Sequence, residues 1–562
     1  MITPIDVIRQ SMLRVKCLKL RKYLEGARRA QAVQRRNLLE RVARNASSRF
    51  GRDHGFGEIR SVADFRRRVP VSNYEYHRPY IADVMQGQTE ALFAPGTRVI
   101  MYAQTSGTTA EPKHIPVTER FYRQYKKGWQ TWGTGAYRDH PAMLRKLTLQ
   151  FTSDWQTSRA PDGTPCGNIS GMAAETRPFY IASLFVLPAL VNRISHPAAK
   201  HYTALRLGLA RPNVGMVITA NPSTLVEVAK RADREKESLI RDIHNGTLSP
   251  SDPMDASLQQ SLEPFCKADP KRARHLEQLA EQHGRLLPQH AWPDMDLLAV
   301  WTGGSVGMYL SQLGEYFGDT AIRDHGISAS EGRMTVPLAD GRPEGVLDYA
   351  SHYYEFIPEH EHGSADPTVL EAHELTAGEN YFILLTTEAG LYRYDIHDLV
   401  KCHGYEGQTP LLTFLNKGKN FASFTGEKLH EYQVVEAMRR TCNELQLEGS
   451  TFTLAPQYSD RLQYFLILGE KAHAQCGDGL AERFQQHLSE INHEYGDKTE
   501  SGRILPIRLR VIPEAAWTKL REQKSSGRGN FEEYKHPCLT RDLDFLPRIE
   551  ALVQSLEPAS AC

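Results

Sequence analysis

Residues 102–118 read Tyr-Ala-Gln-Thr-Ser-Gly-Thr-Thr-Ala-Glu-Pro-Lys-His-Ile-Pro-Val-Thr. Four hydroxyl side chains, Thr105, Ser106, Thr108 and Thr109, surround Gly107, and Lys113 follows shortly after. The apolar run 99–102 in front predicts a short buried strand. Thr118 followed by Glu119 and Arg120 predicts a helix start, which makes the polar cluster a strand-to-helix connection. A turn of this composition can hold a phosphate: successive backbone N–H groups converge on one anion, hydroxyls add donors that rotate to suit, and Lys113 adds a mobile positive charge. Gly107 lets the backbone come close to its ligand. The spacing is not that of the Walker loop, because Lys113 follows Pro112 and precedes His114 instead of standing between a glycine and a Ser or Thr. An ordinary Ser/Thr-rich surface turn would share the hydroxyls but not the ordered string ending in Pro-Lys.

The rest of the chain sets the bounds within which that loop works. At 562 residues it exceeds the size, about 250–300 residues, at which a single core stops growing, so more than one domain is expected. A hydrophobic share of 40% and a charged share of 24% are those of an ordinary globular protein, and a formal charge of +1 offers no field to recruit nucleic acid or an anionic membrane. The eight cysteines form no Cys-x-x-Cys pair, which argues against a structural zinc site and a disulfide framework and points to a reducing cytoplasm. Charged residues at Asp6, Arg9, Arg14 and Lys16 interrupt the start of the chain, unlike a signal peptide. No apolar run approaches the ~20 residues of a membrane span.

In order, residues 5–46 predict one or two amphipathic helices with a solvated basic face, and residues 50–71 a loop and a short helix. A strand is expected over 147–151 and a core helix over 180–194. Another strand follows over 214–219, then a helix entered at Asn221-Pro-Ser-Thr with Ser223 or Thr224 as cap and running to Asn245 before Gly246. The strand 297–302 leads into Gly303-Gly-Ser-Val-Gly307. Ser328-Ala-Ser-Glu-Gly332 follows a strand, and its carboxylate, Glu331, is a candidate Mg²⁺ ligand, since Mg²⁺ binds through few protein oxygens and completes its shell with water and phosphate. Two histidines in Glu359-His-Glu-His362 lack further ligands at a recognisable spacing and read as a solvated loop. Gly390-Leu-Tyr-Arg-Tyr-Asp-Ile-His-Asp-Leu-Val closes the set of motifs. Beyond it, a helix over 431–445, strands over 451–455 and 463–468, a helix over 479–494 and a strand over 504–511 describe a small α/β domain.

Thr105 to Lys113 resembles the phosphate loop of the adenylate-forming superfamily, which includes acyl-CoA synthetases, nonribosomal-peptide adenylation domains and luciferases. Its continuation to Thr118 resembles the Gretchen Hagen (GH3) branch, the acyl acid amido synthetases, here of the bacterial type. The resemblance runs through Asn221-Pro-Ser, Ser330-Glu331, Tyr392 to Asp398 and Gly426-Glu-Lys-Leu429, and so covers nearly the whole chain. It implies an α/β protein with a large N-terminal adenylate-forming domain of mixed sheets and helices, 1–417, and a small mobile C-terminal α/β domain, 418–562. It also implies ATP and Mg²⁺ as cofactors, with Lys113, Lys535 and Glu331 as the catalytic groups. Lys535 enters through Tyr534-Lys-His-Pro537, which is similar to the family's Tyr-Lys-Thr-Pro. Thr105, Ser106, Gly107, Thr108, Thr109, Gly304, Ser305, Ser330, Glu331, Tyr392, Asp398 and Lys417 become the nucleotide set. Within it, Gly304 and Ser305 form the adenine-side loop, Asp398 accepts hydrogen bonds from both ribose hydroxyls, Tyr392 and Arg393 either touch the nucleotide or support the residues that do, and Lys417 marks the hinge. Two departures stand out. Ala110 replaces a usual glycine, stiffening the loop, and His397 stands where the family has glycine.

The reaction this implies activates a carboxylic acid as acyl-AMP and transfers the acyl group to the amine of an amino acid, with small-molecule substrates, no nucleic acid, no membrane and a monomeric enzyme. An acyl-adenylating ligase with coenzyme A or a carrier thiol as acceptor shares the same first half. A different chemistry is a serine hydrolase, since Gly303-Gly-Ser-Val-Gly307 fits the nucleophile-elbow pattern with Ser305 as nucleophile. It would need Asp398 with His403 or His430.

Overall fold

The computed structural model describes residues 4–105, 112–304, 307–418, 421, 422, 424, 427, 429–447, 449–459, 461–476, 479–525 and 536–556. They divide into two units: residues up to Trp301 with Tyr316–Phe414, and Thr302–Glu315 with the chain from Leu415 onward. The mixture of sheets and helices is the α/β class expected.

The larger unit holds three principal sheets. In the first, Val99–Thr105 lies between Lys113–Thr118 and Pro165–Gly167, with Ser158–Arg159 outermost. Val99–Thr105 pairs antiparallel with Lys113–Thr118, Ala103 facing Ile115 and Thr105 facing Lys113. The hydroxyl-rich stretch is therefore the connection of a hairpin and not a strand-to-helix connection. Pro116 hid the second strand, because proline removes a ladder donor; this strand lies at the sheet edge, where proline is tolerated. The helix begins where expected: Thr118 caps Glu119–Asp139, its side chain accepting from the Phe121 N–H.

The second sheet is parallel, in the order Leu147–Gln150, Val214–Ile218, Leu297–Val300, Ala321–Asp324. Its two central strands are wholly buried, as continuous apolar runs in a parallel sheet should be. The third has seven strands, with Tyr394–Glu406 between Thr409–Lys417 and Asn380–Thr386. Its apolar residues share one core with Tyr102, Ile115 and Val117 of the hairpin, so the hairpin and the strand bearing Tyr394 are fixed by the same packing.

Three local expectations change. Residues 180–194 are not a core helix: only Phe179–Ala182 and the short turn Ala189–Arg193 are helical, Phe179 is 89% exposed, and Pro178 and Pro188 stand immediately before the two pieces. The cap at Pro222–Arg234 is Asn221, whose side chain accepts from the Ser223 N–H; Pro222 supplies the helix-ready first residue. That helix ends at Glu235, and a second, Lys236–Asn245, runs on to a left-handed Gly246.

The smaller unit carries the sheet Phe452–Tyr458, Leu462–Gly469, Ile504–Ile512 with helices Glu431–Leu445 and Leu480–Ile491 packed on it. Glu427, of the Gly-Glu-Lys-Leu string, is fully buried there and accepts from the Tyr464 hydroxyl at 2.7 Å and the Phe424 N–H at 3.0 Å. No helix among the described residues is long and apolar enough to cross a membrane.

Candidate active site

Lys113 opens the second strand of the hairpin, opposite Thr105. Its ammonium donates to the Tyr394 hydroxyl at 3.2 Å and stands 5.3 Å from the centre of the Tyr74 ring. A cation beside aromatic faces is held by their quadrupoles. The strand start is tied down by Tyr74, whose hydroxyl accepts from the His114 N–H at 2.9 Å.

Glu331 approaches the same phenol from another element. Ser328–Ala329 and Gly332–Arg333 pair as a tight hairpin, so Ser330 and Glu331 form its turn. The Tyr394 hydroxyl donates to Glu331 Oε1 at 3.3 Å, and Ser330 Oγ donates to the Gln104 carbonyl at 3.3 Å. Lys113, Tyr394 and Glu331 thus form a directed chain: ammonium to phenol, phenol to carboxylate. Burial first, then the charge of Glu331 and the hydrogen bond given to it, then Tyr74 and the charge of Asp398, push the phenol far above its ordinary pKa. Tyr394 therefore stays protonated and keeps the direction of the chain fixed.

Glu331 is 4% exposed, and its one hydrogen bond among the described residues is that from Tyr394. A carboxylate offers about four acceptor sites, and a buried one is stable only when paired. The residue therefore has both the need and the capacity for a cation, and the donor set, one hard oxygen ligand with room for water and phosphate, suits Mg²⁺.

Asp398 lies on the strand Tyr394–Glu406, buried, and near enough for its charge to act on Tyr394. Lys113, Glu331 and Asp398 thereby all act on one tyrosine, with Ser330 beside Glu331 in the same turn. The expected nucleotide contact Tyr392 is placed differently. Its side chain is wholly buried, stacked on Phe50 at 5.0 Å, with its hydroxyl accepting from Asn45 Nδ2 at 2.8 Å, so its ring is packing. Arg393 is likewise structural: it donates to Glu355 at 3.0 Å and to the carbonyls of Arg66 and Val69 from a left-handed backbone, φ 46°. The Tyr-Arg-Tyr string works as an anchor in its first two residues and as site in its third. Sequence reasoning missed Tyr394 and Gln104. Tyr394 was visible as the last residue of a quoted motif, but nothing local says which tyrosine faces the site.

In the smaller unit, Gly304 has φ 67°, a left-handed conformation that explains the glycine, and Lys417 is exposed at the end of Thr409–Lys417. Ser106, Gly107, Thr108, Thr109, Ser305 and Lys535 lie outside the described residues. For the hydrolase alternative, Asp398 and His403 sit five residues apart on one strand, roughly 16 Å at ~3.3 Å per residue, too far for the contact a triad needs.

The fold and the site define an α/β protein in which Lys113, Tyr394 and the buried acidic turn at Ser330-Glu331 are brought together in the larger unit. Its fold is that of a solved "GH3.15 acyl acid amido synthetase", with a TM-score of 0.81 at 21% identity over 96% of this chain and 95% of that one. A second structure, that enzyme from the same series in complex with 2,4-DB, gives 0.82 at 20% identity over 96% of both chains. The chain matches the GH3 family N-terminal domain over residues 19–322, the central domain over 345–417 and the C-terminal domain over 432–544, and it belongs to the GH3 family. Curated relatives include an indole-3-acetic acid-amido synthetase of Arabidopsis thaliana, 22% identical over 93% of this chain and 90% of the relative. A jasmonoyl-L-amino acid synthetase of Nicotiana attenuata is 24% identical over 78% and 79%.

Proposed function

We propose that the chain is an acyl acid amido synthetase that activates a carboxylic acid with ATP and passes the acyl group to the amine of an amino acid. The observation that carries this is the hydrogen-bonded chain from Lys113 through Tyr394 to the buried Glu331, in a chain whose family relatives are named as amido synthetases.

In the first step a carboxylate oxygen of the acid attacks the α-phosphorus, the bond to the bridging oxygen breaks, and pyrophosphate leaves with the electron pair. Lys113 stabilises the negative charge on the phosphates, and Lys535 assists at the same stage. Glu331 and Tyr394 hold the lysine's position from behind. Glu331 would hold a Mg²⁺ ion, which would supply further neutralisation of the phosphates. Asp398 accepts from the ribose hydroxyls, with Thr105, Ser106, Gly107, Thr108, Thr109, Gly304, Ser305 and Ser330 completing the nucleotide's surroundings. In the second step the amine nitrogen attacks the acyl carbon, AMP leaves with its electron pair, and the nitrogen loses a proton. Between the steps, residues 418–562 turn about Lys417 as a small domain against 1–417.

The finer points of this reading are a bacterial-type member of the family, acting as a monomer in the cytoplasm. Its support is the low identity, 22–24%, to these plant relatives and the scattered cysteines, none in a Cys-x-x-Cys pair. The test is ATP–pyrophosphate exchange over a panel of aromatic and aliphatic acids, followed by mass detection of conjugates with added amino acids or thiols. Acid-dependent exchange with amide products is expected. Thioester products alone, or ester cleavage without nucleotide, would overturn the proposal.

A further inference from the structure

The strand Tyr394–Glu406 does not run regularly against Asn380–Thr386. Asp395 faces Leu384 and Leu399 faces Phe382, so four steps on one strand oppose two on the other. The extra residues bulge, and His397 at the bulge takes a left-handed backbone, φ 59°. Bulges re-aim side chains, and here the imidazole of His397 turns back towards Asp395. His362, 33 residues earlier, meets the same carboxylate from the loop beyond Tyr353–Pro358.

The three side chains converge closely. Asp395 Oδ2 lies 2.8 Å from His362 Nε2 and 3.1 Å from His397 Nδ1, and one ligand-type atom from each residue lies within 4.8 Å of the others. Around an ion with bonds of about 2.0–2.1 Å, donor atoms of a tetrahedral site stand roughly 3.3 Å apart, so small rotations would seat one. The carboxylate is oriented for this, since its other oxygen, Oδ1, accepts from the His397 N–H at 2.7 Å. The His362 ring is fixed by stacking on Phe382, with centroids 3.6 Å apart. Such outer contacts hold metal ligands in place. The neighbouring acids are otherwise engaged: Glu361 accepts from the Thr368 N–H and Glu359 from Asn380.

We propose that His362, Asp395 and His397 form a binding site for a borderline divalent transition ion such as Zn²⁺, with solvent as the remaining ligand. Two imidazoles and one carboxylate favour such an ion over Mg²⁺ or Ca²⁺. The site is distinct from Glu331, and it clamps the bulge immediately before Asp398. It depends on His397, the residue standing where the family resemblance places glycine.

The test titrates Co²⁺ into the full-length protein, reading visible absorption, with Zn²⁺ competition. The wild type should take up one equivalent with the intense bands of a four- or five-coordinate ion, displaced by Zn²⁺. His397→Gly removes one ligand while relieving a left-handed backbone, so the variant keeps its fold, and the bands should be lost; His362→Ala should lose them too. His283→Ala/His290→Ala removes a histidine pair away from this cluster, its rings stacked with 3.9 Å between centroids, and should leave the bands unchanged. Absorption of the hydrated ion alone at tenfold excess Co²⁺ would overturn the proposal, as would wild-type bands in H397G or their loss only in the His283/His290 variant.

Discussion

Tyr394→Phe removes one oxygen and leaves the ring in its core. That oxygen accepts from Lys113 at 3.2 Å and donates to Glu331 at 3.3 Å, so the change deletes both links of the chain at once. Hydrogen bonds to charged groups contribute about 1.5–3 kcal/mol each. Both bonds are slightly long, so the lower half of that range applies to each, and only the part realised as charge develops on the phosphates affects rate. A net loss of about 1.5–3 kcal/mol in the transition state corresponds to a fall of about tenfold to a hundredfold in pyrophosphate exchange. The packing of the ring, shared with Tyr102 and Ile115, is untouched, so the melting midpoint should stay within about 3 °C of wild type. Exchange is measured at saturating ATP with an acid the wild type accepts. Exchange within twofold of wild type would refute the positioning role, and so would a loss accompanied by a collapse in melting temperature, which would make the hydroxyl structural.

Removing either end of the chain should cost more: Lys113→Ala and Glu331→Ala are each expected to abolish exchange, and measurable exchange at a tenth of the wild-type rate in either would undo its assignment. Asp398→Ala should raise the KM for ATP by about tenfold to a hundredfold, the effect of losing charged hydrogen bonds, with a smaller change in kcat; an unchanged KM places the ribose elsewhere. Burial, and to a lesser degree the charge of Arg41, lowers His352 to about 3. In the unfolded chain the imidazole binds a proton below ~6.5, whereas the folded protein does not until far lower. The stability this neutral, buried histidine permits is full above pH 6.5 and is lost as pH falls towards 3, about 2 kcal/mol of it between pH 6.5 and 5. His77, lowered to about 4 by burial, acts in the same direction. Denaturant unfolding of His352→Leu at pH 7 and pH 5 should show a shallower loss than wild type, and equal losses would contradict the burial argument.

Long-period patterns made much of this molecule readable from its sequence. The helix Glu431–Leu445 and the strands of the smaller sheet announce themselves by apolar spacing, and the cap at Thr118 by its chemistry. What failed was information that only the tertiary structure holds. Pro116 in an edge strand looks like a break until its neighbours are known. The segment 180–194 is apolar enough for a core, but its prolines chop it into turns. At the site, Lys113, Ser330, Glu331 and Asp398 were each marked by a motif, whereas Tyr394, which links Lys113 to Glu331, was one of two tyrosines two residues apart, and the left-handed backbone at Arg393 between them is not legible in the sequence. His362 could not be tied to Asp395 and His397 at all, because two strands and a bulge bring them together.

The measurement closest to the heart of this account is a crystal structure of the protein with AMP at saturating concentration. The account predicts density with the phosphate at the Lys113 end of the hairpin loop and the ribose at Asp398. Nucleotide bound at another place, or none at all, would contradict it.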